Sequence, residues 1–212
     1  GGFDAGTSTM SFSGNTAAAC SITGNSTFYH LVFNPGVNTT YTIGAGDTVT
    51  VLGQLSLAGT SGITLNGGWI FAQGDIPVTN TNNSGGGTAT LVINGSGNQK
   101  LTGQGTGGNG RLPPIRIDKQ GGTLLLSSLI TGGNWTFVKG SVDATTFNST
   151  VAFPSGGLWL QGESGSMSFD NVTITGFGAV TLYSGDLDVD GNLTINSGAS
   201  GLGGNGGKIY VA

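Results

Sequence analysis

Charge is scarce in this chain. Its 212 residues hold 6 Lys and Arg and 10 Asp and Glu, 8% in all, against about 25% in an ordinary globular domain. The basic residues are Lys100, Arg111, Arg116, Lys119, Lys139 and Lys208, and the net charge is −4. That excludes the dense cationic surface that displaces counterions from nucleic acid. A single cysteine, Cys20, rules out any disulfide within the chain; in Ala17–Ile22 it reads as a small buried hydrophobe. With one histidine, His30, a histidine metal cluster is excluded. On a strand, a lone histidine reads as a packed or surface residue. No apolar run approaches about 18 residues, so no segment reads as a membrane-spanning helix. No stretch keeps a 3.6-residue period, and essentially no helix is expected.

What the chain has instead is glycine, 43 residues, and 36% hydrophobic residues in short alternating runs. Leu55-Ser-Leu57, Ile63-Thr-Leu65, Val172-Thr-Ile174 and Leu193-Thr-Ile195 alternate apolar with polar. On a strand this puts the hydrophobes on one face. Glycine pairs such as Gly67-Gly68, Gly121-Gly122 and Gly132-Gly133 break the runs every few residues and supply corners of positive φ. Neutral Thr, Ser and Asn suit stacked strands, where like charges on successive layers would repel. The expected fold is all-β: a parallel β-helix, or β-solenoid, of about nine coils, each of the roughly 20–29 residues usual for strand-based repeats.

Longer repeats also align. Thr9-Met-Ser-Phe12, Thr90-Leu-Val-Ile93 and Thr150-Val-Ala-Phe153 each open a unit whose contents follow in similar order. The chain is expected to be one continuous solenoid over 1–212, in three degenerate units at about 8–87, 88–148 and 149–212. The last closes onto 1–7 of a next copy, because Lys208-Ile-Tyr-Val-Ala212 followed by Gly1-Gly-Phe3-Asp-Ala5 repeats the grammar of Trp135–Lys139 followed by Gly140–Ala144. An uncapped solenoid end offers an unpaired strand to any neighbour. Lys208, Ile209, Tyr210, Val211 and Ala212 at one end, with Gly1, Gly2, Phe3, Met10 and Phe12 at the other, are therefore the expected self-assembly residues, and the expected partner is an identical copy, head to tail.

Few groupings carry chemistry. Asp186, Asp188 and Asp190, before Gly191, resemble the opening of a calcium loop. The twelfth position, where that loop needs a bidentate Glu, is Ser197, and Leu187 and Val189 read as inward strand residues. A structural calcium ion is the one cofactor for which there is a candidate site; otherwise no cofactor and no catalytic residue is expected. The other acids are scattered, and Asp47, Asp75, Asp143 and Asp186 follow glycines closely enough to serve corners. Gly103–Gly110 lacks the Lys-Ser/Thr pair of a phosphate loop. Outward aromatics, with Tyr29, Trp69, Trp159 and Tyr183 as candidates, could stack on a glycan; they read equally as core, Trp69 and Trp135 above all. Threonine forms no regular T-x-T column, which counts against ice binding, and dispersed carboxylates count against polysaccharide cleavage.

Ser8–Phe12, Phe28–Phe33, Gly46–Leu57, Gly132–Phe137 and Ser184–Ile195 together form a grammar that resembles the repeats of large secreted bacterial surface proteins and adhesins with parallel β-helix folds. The resemblance implies extracellular or cell-surface display and a structural or adhesive role, with glycans or a cell surface as further partners. It transfers no catalytic residue.

Overall fold

The computed structural model describes residues 6–16, 19–154, 157–161, 167–175, 179–184, 186–196, 198, 201–204 and 207–212. Strands and turns account for them, with no helix among the described residues, and every strand pair is parallel. The strands form three faces, visited in fixed order.

On the first face lie β1 (Thr9–Phe12), β4 (His30–Phe33), β6 (Leu55–Leu57), β8 (Ile76–Pro77), β11 (Gln99–Thr102) and the far halves of β12 (Ile115–Ser127) and β14 (Trp135–Asp143). In the same place in the chain order come β17 (Ser168–Phe169), β20 (Leu187–Val189) and β23 (Ile209–Val211). The second face takes β2 (Cys20–Ile22), the near halves of β5 (Thr39–Val51) and β7 (Ile63–Ala72), and β9 (Gly85–Gly86). It continues through Leu112 to β13 (Leu129–Thr131), β15 (Thr150–Phe153), β18 (Asn171–Ile174) and β21 (Leu193–Ile195). The third holds β3 (Ser26–Phe28), the far halves of β5 and β7, β10 (Thr90–Ile93), the near halves of β12 and β14, β16 (Gly157–Gln161), β19 (Ala179–Ser184) and β22 (Gly201–Gly204).

This is the expected parallel β-solenoid. Its longest ladder passes through nine strands, β2-β5-β7-β10-β12-β14-β16-β19-β22, which span about eight turns, or about 40 Å at the usual strand spacing. Coil length is not constant: Thr123 finds its partner one coil on at Ser141, whereas Ile76 finds it only at Leu101. The coil is the unit that repeats in space. The three anchors that open the longer units stand on three different faces: Thr9–Phe12 on the first, Thr90–Ile93 on the third and Thr150–Phe153 on the second.

Alternation decides the core. Leu31, Phe33, Leu55, Val49, Val51, Ile70, Ile117, Leu124, Leu187 and Val189 are fully buried, while their strand neighbours point outward. Trp135 is buried as expected. Trp69 is not: it is 40% exposed, because Ile70 and Ala72 take the inward positions of β7. Cys20 is half-buried at the margin of the core.

Corners are tied by one recurring bond. A short polar side chain accepts the backbone N–H of the residue one coil later. Asn25 does this for Thr48, His30 Nδ1 for Gln54, Asn38 for Gly62, Asn66 for Thr88, Asp75 for Lys100, Asn98 for Thr123, Asn171 for Asn192 and Asp186 for Lys208. A turn cannot complete a ladder with its own backbone, so these side chains supply the acceptors. Asn171 also donates to Asn148 Oδ1 at 3.2 Å and the Ser149 carbonyl at 3.1 Å, linking three coils. Asn171→Ala is expected to cost about 2 kcal/mol, read as a lower urea midpoint with unchanged slope.

Candidate functional site

The two ends of the stack are where inward-facing hydrophobes lie open. Ile209 stands directly over Leu187 and Val211 over Val189. The lower residues are 0% exposed; Ile209 is 37% and Val211 50%. Ile195, next in register after the buried Ile174, is likewise exposed. At the opposite end Met10 precedes Leu31 in its column and is exposed. Phe12 stacks on Phe33 at 5.4 Å and leans on Tyr41 at 5.6 Å. Beside it opens a hollow of about 330 Å³ lined by Phe12, Ala19, Cys20 and Tyr41 among others. Local alternation makes these residues point at the solenoid axis; among the described residues, no further coil lies over them.

Of the residues expected at these ends, Lys208–Ala212, Met10 and Phe12 are placed as described, and Gly1, Gly2 and Phe3 lie outside the described residues. The coil at the Met10 end, residues 6–29, contains no Asp, Glu, Lys or Arg. Lys208 marks the other end, its N–H held by Asp186.

The aspartates of 186–190 do not converge. Asp186 turns to the next coil, while Asp190 accepts the Ser168 hydroxyl. Leu187 and Val189 between them are fully buried. No three His, Cys, Asp or Glu side chains gather among the described residues. Asp170 is raised above the usual carboxylate range, by burial first and then by the charge of Asp190. Asp143 is held below it by the hydroxyl and N–H of Thr146 and by Thr145, in a tight turn. Asp75, Asp143 and Asp186 thus serve corners, and Asp47 accepts the N–H of Gly24 in the coil before.

Tyr29 packs edge-on against His30 with ring centroids 4.6 Å apart. The side chains of Trp159 and Tyr183 lie outside the described residues. Trp69, one of the aromatics the sequence offered as outward, pairs with Phe71, which sequence reasoning missed; the rings are near-parallel at 6.4 Å on the third face. The basic residues are dispersed or engaged: Arg116 and Lys139 flank Asp118 at 3.8 and 3.9 Å. The larger side cleft, about 460 Å³, lies where the second-face ladder thins, lined by Asn83, Asn109, Arg111, Pro154, Thr173 and Thr175 among others.

Residue type alone does not mark Lys119 as a core residue, yet it is 2% exposed, its Nζ donating to the Gly97 carbonyl at 2.6 Å and to Gln99 Oε1 at 2.7 Å. Burial pushes its pKa below the ordinary 10.5. The unfolded chain therefore binds more protons than the folded one between the lowered value and about 10.5, and this group makes stability rise with pH across that alkaline window. Burial raises Tyr41 above its ordinary 10.0, helped by Cys20 and opposed by Thr39, which works the opposite way above about pH 10. Urea midpoints of wild type and Lys119→Met, taken from pH 7 to 10.5, separate the two; the alkaline gain is expected in wild type only.

No helix among the described residues is long and apolar enough to cross a membrane. Comparison with protein-family models, curated proteins and solved structures finds no match.

Proposed function

We propose that this chain is a structural segment of an extracellular filament, built by continuing the solenoid head to tail through its ends. The observation that carries this reading is the set of inward positions left open at both ends, Ile195, Ile209 and Val211 at one and Met10 at the other. In the coils between, the same columns are closed. A further coil, whether of a second copy or of the same chain continued, would cover these apolar side chains and pair the edges of β1 and β23. The reading assigns no catalysis and needs no cofactor; scattered, corner-bound carboxylates support that part. Extracellular display rests on the likeness of the repeat grammar to bacterial surface proteins.

Electron microscopy of the purified protein tests it. Filaments with an axial repeat of about 43–45 Å are expected, nine or so strand spacings per copy. Ile209→Lys with Val211→Lys should disperse them while far-UV circular dichroism stays unchanged. A chain that sediments as a monomer at high concentration, with or without those changes, would overturn the reading.

A second reading is favoured by one observation. Trp69 and Phe71 form a pair of near-parallel aromatic rings, with Trp69 exposed, and an exposed ring suits stacking against a sugar ring. A glycan-binding module would show quenching or shift of tryptophan fluorescence with soluble oligosaccharides, lost in Trp69→Ala.

A further inference from the structure

We propose that the cleft in the second face binds an acidic saccharide, a chain of hydroxyl-bearing rings that carries a carboxylate, with Arg111 as the group that takes the carboxylate. The cleft opens on the side of the stack, on a different face from Trp69. It is therefore independent of filament formation and of the aromatic pair.

Register explains the hollow. Leu112 pairs with Gly132, which puts Arg111 in register with Thr131. Thr131 pairs with Ala152, and Ala152 with Thr173. Ile130, Val151 and Ile174 beside them are fully buried, so this column faces outward. Gly133, Pro154 and Thr175, two residues further along, form the next outward column. Small residues stand there where longer side chains would fill the surface. The result is a cleft of about 460 Å³ with a hollow of about 180 Å³ beside it, and Arg111 and Pro154 line both. The loop 103–110 forms the opposite wall and is pinned. Gly103 N–H donates to the Ser127 carbonyl at 2.9 Å, Gly105 N–H to Leu129 at 3.2 Å and Gly110 N–H to Asn82 at 2.9 Å. Arg111 Nε donates to the Gly108 carbonyl at 3.3 Å. Walls held in place before binding lose little freedom on binding.

The chemistry of the lining selects the occupant. Among the described residues that line the cleft and its hollow, Arg111 alone is charged, in a chain whose net charge is −4. The planar guanidinium matches the geometry of a carboxylate. Asn83, Asn109, Asn134, Thr173 and Thr175 are short neutral side chains that both donate and accept hydrogen bonds, which is what sugar hydroxyls need. Pro154 adds a flat apolar surface for ring C–H groups. Thr131 is an independent mark. It is 1% exposed, faces outward by parity, and its Oγ1 has no hydrogen-bond partner among the described residues. A buried hydroxyl without a partner is costly, and a hydroxyl brought by the occupant answers it. An inorganic anion would call for more than one cation. A lipid chain would call for a longer apolar floor than Leu129, Ala152 and Pro154 give.

Isothermal titration calorimetry at low salt tests the site with two probes. A hyaluronan tetrasaccharide alternates glucuronate with a neutral ring, and chitotetraose is its neutral counterpart. The hyaluronan tetrasaccharide is expected to bind at least tenfold more tightly, and Arg111→Gln to abolish that preference. Because Arg111 also holds the Gly108 carbonyl, a second variant leaves it in place. Gly107 lines the cleft, its φ lies outside the left-handed region, and a Cβ there meets nothing within 4 Å. Gly107→Phe is therefore expected to weaken binding at least tenfold with the far-UV circular dichroism unchanged, whereas Trp69→Ala leaves binding as it is. The proposal is overturned if the two sugars bind alike, or if the hyaluronan tetrasaccharide does not bind at millimolar concentration. Binding that survives Gly107→Phe but is lost in Trp69→Ala overturns it in favour of the third face. A tetraglutamate peptide that binds as tightly overturns the saccharide and points to acidic peptides. Filament formation, read by microscopy, is untouched by any of these results.

Discussion

Trp135→Ala is expected to lower stability by about 4 kcal/mol, at the upper end of what a single core truncation does. Trp135 is the largest fully buried side chain. It projects from the third face across the lumen and meets Phe169 of the first face edge-on, centroids 5.5 Å apart. In its column Ile115 lies in the coil before and the backbone of Trp159 in the coil after. These strands are pinned by parallel ladders on both sides, so the walls cannot move in to fill the space a smaller residue leaves. The indole Nε1 finds no acceptor among the described residues, so the indole contributes packing without a hydrogen bond. Trp135→Phe therefore removes a buried donor as well as volume, and its cost should be less than half that of alanine. Urea titrations followed by far-UV circular dichroism would read both. Equal losses for Phe and Ala would show that the indole is held by more than packing.

Much of this fold was legible in the sequence, for a simple reason. Period-two alternation and positive-φ glycines are local requirements of strands and corners, and they survive in a single sequence. Asp75 and Asp186 were readable as corner residues from the glycines before them. Which face each strand occupies was not legible. All three faces impose the same alternation, and the coils are of unequal length, as the pairs Thr123–Ser141 and Ile76–Leu101 show. A match such as Thr9–Phe12 with Thr90–Ile93 therefore carries no phase, and these segments stand on different faces.

For two side chains, parity along the strand decides against residue type. Ile115, Ile117 and Lys119 share one parity, and all three point inward. Lys119 is accommodated because Gln99 and the Gly97 carbonyl receive its ammonium, partners remote in sequence. Trp69 shares no parity with Ile70 and Ala72, and its exposure follows. The end surfaces were legible as alternating strands, Ile209–Val211 above all.

Gly67→Ala is expected to cost about 3–5 kcal/mol, and Gly46→Ala only about 1–2 kcal/mol, although both glycines have a similar positive φ. Gly46 has φ +83° and Gly67 φ +72°, in the left-handed region that an L side chain enters at a cost of about 1–2 kcal/mol. The difference lies in what surrounds them. A methyl on Gly46 would have open space. A methyl on Gly67 would land on the carbonyl oxygen of Ile43, its rung partner in the coil below. Backbone cannot swing aside like a side chain, so the two coils must part at that corner. The neighbouring bond from the Gly67 N–H to Thr88 Oγ1, at 3.2 Å, would be strained with them. Parting one rung also disturbs Ile43 in the coil below and Leu65 on the same strand, both buried. The pair isolates inter-coil spacing from local conformation, because the φ cost is common to both. Equal losses would mean that the stack yields freely at its corners. A gap of about 2 kcal/mol, the size of an overpacking penalty, would identify close approach between successive backbones as the reason this corner needs glycine.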